Sequence, residues 1–173
     1  EAIAFMNLVS STVDIIEIDN DDNLILNGLD WTGASGTTQP TSWDKVGTPT
    51  DYTIDSGALK LTVDGNEGVS QTIAVSAATE YQLLFLYKNT ASDVAQVAVY
   101  DVTHSADILA TTDLASKTSF CPYSYVFTTP VGCVSIKISL TAKTSGDIVW
   151  FDYVKCAPTK YSETITTGAL IKY

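Results

Sequence analysis

The sequence predicts an all-β fold, a sandwich or barrel of antiparallel strands, and three observations carry that prediction. Thr, Val, Ile, Tyr and Ser recur throughout, whereas the helix formers Glu, Arg and Met are scarce. Apolar residues alternate with polar ones at a period of two in segment after segment. Breaks rich in Gly, Pro, Ser and Asp separate these segments, and no stretch carries a convincing helical period. Eight or more strands joined by such turns leave a sandwich or a barrel as the economical architecture. At 173 residues the chain suits one domain, and a domain of that size buries roughly 70% of its unfolded surface.

Residues 1–22 stand apart. Ala2, Ile3, Phe5, Met6, Leu8 and Val9 form an apolar cluster, followed by VDIIEIDNDD with its five acids. This reads as an N-terminal arm or linker, either a short helix leading to a strand or an extended segment. An apolar arm of this kind packs on its own domain or on a neighbour. Regularity begins at Asn23. NLILNG reads as a first strand closing at Gly28, and LDWTGASGTTQPTSW as a loop. Leu59, Leu61 and Val63 alternate with Lys60 and Thr62, and Asp64-Gly65 closes the strand. Val69, Ile73 and Val75 continue the alternation with Gln71 as its polar exception.

TEYQLLFLYKNT is the most apolar segment, with Tyr81, Leu83, Phe85 and Tyr87 on one face and Gln82, Leu84, Leu86 and Lys88 on the other. Apolar character on both faces predicts a central strand covered on both sides. VAQVAVYDVT, YSYVFTTP, CVSIKISLTA and DIVWFDYVKC supply further strands. The domain thus runs over 23–158. Residues 159–173, polar and Thr-rich before ALIKY, read as an extra strand or a second arm, and neither end of the chain reads as a natural stop.

Composition narrows function. The net charge is −11 and all nine basic residues are Lys, so the bidentate guanidinium forks suited to phosphate are absent. An acidic excess also repels nucleic-acid backbones and anionic lipid, which disfavours nucleic acid and membrane as partners. No apolar run reaches the roughly 20 residues of a membrane span. Cys121, Cys133 and Cys156 lack metal-box spacing and read as free thiols in or beside strands, with one disulfide plus one free thiol as the alternative. The single histidine, His104, lies near Asp101 and Ser105 within one turn, too local for a catalytic triad. Glu67 and Glu80 form no pair of the kind glycosidases need. A non-enzymatic role is expected.

NLILNG, a loop to Trp43, ALKLTV, GVSQTIAVSAATEYQLLFLYK, VAVYDVT and VWFDYVKC follow an order that resembles carbohydrate-binding modules of the family-four/nine type, within the galactose-binding-like jelly rolls. The resemblance spans about Asn23 to Cys156 and implies a jelly-roll β-sandwich of two antiparallel sheets, with residues 1–22 and 159–173 as arms. Its motifs encode core and turn positions. The sequence departs from the pattern at Leu29-Asp30-Trp31, where Asp-Phe-Glu is usual, and at Asp152-Tyr153, where an acid pair is usual. Such modules often carry a structural calcium ion between the first and last strands, which would fall to Asp152 and, more loosely, Asp30.

Sugar recognition requires aromatic faces for pyranose C–H surfaces and polar groups for hydroxyls. The candidates are Trp31, Tyr52, Tyr87, Tyr100, Tyr123 and Tyr125, with Asn89, Gln96 and Asp101 as polar companions. Trp43, Tyr81, Phe85 and Trp150 are assigned to the core. Two functions follow as expectations. One is a glycan-binding adhesion or display module on a cell, matrix or virion surface, held in a larger assembly through its arms. The other is a purely structural virion decoration, fibre or surface-layer subunit.

Overall fold

The structure, a computed structural model, describes residues 22–90 and 92–159. The two predicted arms lie almost entirely outside the described residues. Ten strands form: β1 (Asp44–Val46), β2 (Asp51–Asp55), β3 (Ala58–Thr62), β4 (Glu67–Ala74), β5 (Glu80–Asn89), β6 (Ala95–Asp101), β7 (Ala106–Asp113), β8 (Cys121–Thr128), β9 (Ser135–Ala142) and β10 (Ile148–Pro158). They make two five-stranded antiparallel sheets, β1-β4-β9-β6-β7 and β2-β3-β10-β5-β8, so the predicted sandwich of two sheets is the observed architecture. Strands from the first half of the chain pair with strands from the second, as β4 does with β9 and β3 with β10.

The period-two pattern explains the core. Val69 and Ile73 of β4, Val97 and Val99 of β6, and Ile136, Ile138 and Leu140 of β9 point inward from one sheet. Leu59, Leu61, Leu83, Phe85, Val149 and Phe151 meet them from the other. Phe85 is the hub, its ring centroid 4.9 Å from that of Tyr123 and 5.9 Å from that of Phe151. The β2–β3 hairpin is set by its turn. Asp55 pairs with Ala58, and Ser56 and Gly57 both have positive φ (56° and 92°), the geometry of a two-residue turn that matches strand twist.

The structure corrects several expectations. Asn23–Gly28 is not a strand. Its backbone is held piecemeal, with the Leu24 N–H donating to the Cys156 carbonyl, the Gly28 carbonyl accepting from Val154, and the Gln71 amide gripping Leu26. The sequence pattern missed β1, β2 and β7. The first two are short and lie next to turn residues, and β7 buries little of itself because it is an edge strand. β5 is central within its sheet, but Leu84, Leu86 and Lys88 are only half-buried, so its second face carries no full apolar layer.

A β-bulge in β10 between Asp152 and Lys155, with Tyr153 at φ 55°, advances the alternation by one residue. Before it Val149 and Phe151 are core residues; after it Val154 and Cys156 are. Trp150, expected in the core, therefore lies on the outward face and is half-buried there. All three cysteines are free thiols, with Cys133 and Cys156 buried and Cys121 half-buried. Burial in apolar surroundings pushes the Cys156 thiol up to about 12.

Candidate functional site

The outward face of the β1-β4-β9-β6-β7 sheet has the composition of a contact surface. In an antiparallel sheet, residues paired across strands share a face. One such row is Thr72, Lys137, Tyr100 and Asp107; a second is Ser70, Ser139 and Ala98; a third is Gly68, Thr141, Gln96 and Asp113. The middle of the face carries nothing longer than serine, whereas the half-buried Tyr100 and Lys137 flank it on one side and Gln96 and Thr141, both buried, on the other. The face is thus a shallow polar trough. Gly68 is needed at its edge, because a Cβ there would run into the Leu140 carbonyl of the neighbouring strand.

The polar groups of the trough are fixed by one another. Gln96 Nε2 donates to Asp113 Oδ1 at 2.6 Å, and the Lys143 ammonium pairs with the other Asp113 oxygen. Hydrogen bonds from Lys143 and then Gln96 hold the Asp113 carboxyl below its ordinary range. Thr141 Oγ1 donates to Gln96 Oε1 at 3.4 Å. The Lys137 ammonium sits 5.4 Å from the Tyr100 ring centroid, which steadies a half-buried ring whose edge remains open.

Of the six aromatics nominated from sequence, only Tyr100 is on this face. Trp31 is fully buried against Trp43 with ring centroids 5.2 Å apart, so its face is closed to any ligand. Tyr52 is also fully buried, its hydroxyl donating to the Gly68 carbonyl at 3.0 Å, and burial followed by the Glu67 charge raises its pKa. Tyr87 points into the sandwich and donates to the Ala115 carbonyl. Tyr123 stacks on Phe85, and Tyr125 stacks on Phe127 with its hydroxyl donating to the Ile108 carbonyl, so both half-buried rings serve the core margin.

Among the polar companions, Gln96 joins Tyr100 on the trough. Asn89 is buried, bonded to the Asp93 carbonyl and the Lys117 N–H. Asp101 points the other way and organises a turn. Its Oδ1 accepts the Thr103 and His104 N–H groups, and its Oδ2 lies 2.7 Å from His104 Nδ1. Burial raises the Asp101 carboxyl, but bonds from the His104 ring and backbone and from the Cys133 thiol outweigh it and leave the group below its ordinary value. Cys133 is pushed up by burial and then by Asp101. The aspartate here is the hub of a turn, and the thiol faces the carboxylate, an arrangement that does not activate a nucleophile.

Asp30 and Asp152, nominated for calcium, stand in different surroundings. Asp30 is exposed and Asp152 half-buried. One Asp152 oxygen accepts the Tyr153 N–H at 2.8 Å. The buried Trp31 indole N–H lacks a partner of good hydrogen-bond geometry, and Asp152 is the acceptor beside it. Among the described residues no three His, Cys, Asp or Glu side chains gather into a metal-sized group, whereas calcium takes six to eight oxygens. Burial leaves the Asp152 carboxyl above its ordinary value despite the Tyr153 and Trp31 donors.

Comparison with known proteins places this geometry. No family model matches the chain, and no curated protein matches its sequence. Solved structures do match in fold. A family 61 carbohydrate-binding module in complex with β-1,4-galactotriose superposes with a TM-score of 0.58 at 14% identity, over 79% of this chain and 98% of that one. The CBM22-1 xylan-binding domain of Paenibacillus barcinonensis Xyn10C gives 0.54 at 14% identity, over 75% and 94%. The enzymatically active domain of tailspike protein 4 from bacteriophage CBA120 gives 0.61 at 18% identity; it covers 82% of this chain, which spans only 22% of the tailspike chain. The chain has the jelly-roll fold that these carbohydrate-binding modules share. Several module families share this likeness, which sets the fold and no one family among them.

The trough could not be read from sequence. Lys137, Ser139 and Thr141 register there only as the polar half of an alternation, and their alignment with Tyr100, Ala98 and Gln96 exists only once β9 pairs with β6.

Proposed function

We propose that the protein is a non-catalytic glycan-binding module and that the outward trough of the β1-β4-β9-β6-β7 sheet is its contact face. The observation that carries the reading is the arrangement of Tyr100, Lys137, Gln96 and Thr141 around a floor of Gly68, Ser70, Ser139 and Ala98. Small floor residues leave room for a pyranose ring to lie on the sheet, the Tyr100 ring offers its apolar surface, and the Lys137 ammonium meets sugar hydroxyls, while the buried Gln96 and Thr141 hold the far side of the trough in place through Asp113. Structural neighbours described with β-1,4-galactotriose and with xylan support glycan as the ligand class.

Affinity electrophoresis through gels containing soluble β-linked polysaccharides tests the reading. Retardation of the native protein, lost in Tyr100→Ala and in Gln96→Ala while both variants stay folded, is the expected result. Retardation unaffected by either substitution would move the site elsewhere. One further observation favours a place within a larger particle: the fold recurs as a fifth of a phage tailspike chain. On that reading the chain is a display unit at an external surface, and deleting residues 1–22 would leave the sandwich folded while abolishing assembly.

A further inference from the structure

The opposite sheet carries a separate feature that the trough leaves unused. Strand register aligns Thr53, Lys60, Trp150 and Lys88 in one row across β2, β3, β10 and β5, on the outward face. Phe120, just before β8, extends the row. The Lys88 ammonium lies 4.5 Å from the Trp150 ring centroid and 4.8 Å from that of Phe120, and the Lys60 ammonium is 5.7 Å from the indole. Trp150 is anchored by its N–H, which donates to Asp55 Oδ2 at 2.9 Å. Beside it opens a cavity of about 270 Å³ lined by Lys88, Asn89, Thr90, Thr118 and Trp150.

The charges here are only partly matched. Asp55 is bonded to the indole N–H and the Ser56 hydroxyl, which with Lys88 and Lys60 hold its carboxyl below the ordinary range, and Asp51 is a second carboxylate on the same outward face of β2. Among the described residues neither Lys60 nor Lys88 forms an ion pair. Two ammonium groups are thus gathered on one face of a chain with net charge −11, against the half-buried Trp150 ring and the exposed Phe120 ring. The cavity is slightly smaller than the roughly 300 Å³ at which drug-sized pockets begin, which suits a single ring.

We propose that this face is a second binding site, for a carboxylate-bearing sugar ring such as a hexuronate in an acidic polysaccharide. The carboxylate would sit between Lys60 and Lys88, the ring would lie against Trp150 and Phe120, and the Thr90 and Thr118 hydroxyls would meet its hydroxyls. Lysines supply point charges and no planar fork, so they recognise the charge of an anionic sugar rather than the planar geometry of its acid group. The inference rests on the reading of the chain as a glycan-binding module and adds to it a site and a ligand charge.

Tryptophan fluorescence is the direct assay, because Trp31 and Trp43 are buried and Trp150 is the remaining tryptophan. Titration with oligogalacturonide is expected to give a saturable change, whereas its methyl-esterified form, which is neutral, gives none. Lys60→Gln with Lys88→Gln should weaken binding by about tenfold or more, the effect of losing 1.4 kcal/mol or more of interaction. Tyr100→Ala, on the other sheet, should leave it intact. Oligogalacturonide binding that ignores the lysine pair, or that is abolished by Tyr100→Ala, overturns the second site while sparing glycan binding. Binding of neutral oligosaccharides alone also overturns it. No response to any sugar overturns both readings.

Discussion

Replacing Gln71 by methionine is expected to destabilise the domain by about 3 kcal/mol. Gln71 is buried, yet its carboxamide acts like a strand partner: Oε1 accepts the Leu26 N–H at 2.8 Å, and Nε2 donates to the Leu26 and Ser42 carbonyls, both at 2.9 Å. Methionine keeps the length and volume and removes all three bonds. Each is worth roughly 0.5–1.5 kcal/mol net, so their sum is about 1.5–4.5 kcal/mol. The extra apolar surface of methionine returns about 1 kcal/mol, whereas the three stranded backbone groups, partly shielded from water, cost more than the mean bond. For a domain of this size a loss of 1 kcal/mol lowers Tm by roughly 2–4 °C, so a drop of about 6–12 °C follows. Thermal unfolding followed by circular dichroism measures it, and hydrogen exchange at the Leu26 amide localises it. A Tm within 2 °C of the parent, with the Leu26 amide still protected, would refute the claim that Gln71 pins the segment before Gly28.

Phe85→Ala, which empties the centre of the aromatic cluster, should cost about 3–5 kcal/mol in denaturant unfolding; a loss below about 1 kcal/mol would show that the core closes around the gap. The Asp101 carboxyl is depressed in the folded state, so its stabilisation is present above the unfolded value of about 3.9 and lost as pH falls through the lower folded value. Asp101→Asn should therefore flatten the acid limb of the stability profile, and an unchanged limb would contradict the turn hub. Asp152 has the opposite sign. Its raised folded pKa makes ionisation unfavourable to folding, so Asp152→Asn should leave stability at pH 7 unchanged or higher. Calcium should not alter the melting of the parent protein, and a rise of several degrees that Asp152→Asn abolishes would restore the metal site.

Much of the architecture is written locally. Alternation in ALKLT and SIKISLTA identifies strands and their buried faces, because a sheet with one face in a core has a side-chain period of two. The acidic balance and the lysine-only basic set are likewise legible without any coordinates. Trp31 and Trp150 show where local reading ends. Trp31 lies in a polar loop, and only the fold reveals that the loop turns back to stack it on Trp43. Trp150 sits in an apolar run, and whether it faces the core depends on its register against Lys60 and Lys88 and on a bulge two residues later. The sequence by itself determined that strands form, where most of them lie and many of the aliphatic residues that fill the sandwich. Tertiary structure alone decided which polar and aromatic side chains share an outward face, because neighbours on a sheet are brought together by pairing between strands far apart in the chain, and that pairing is set by the packing of the whole core.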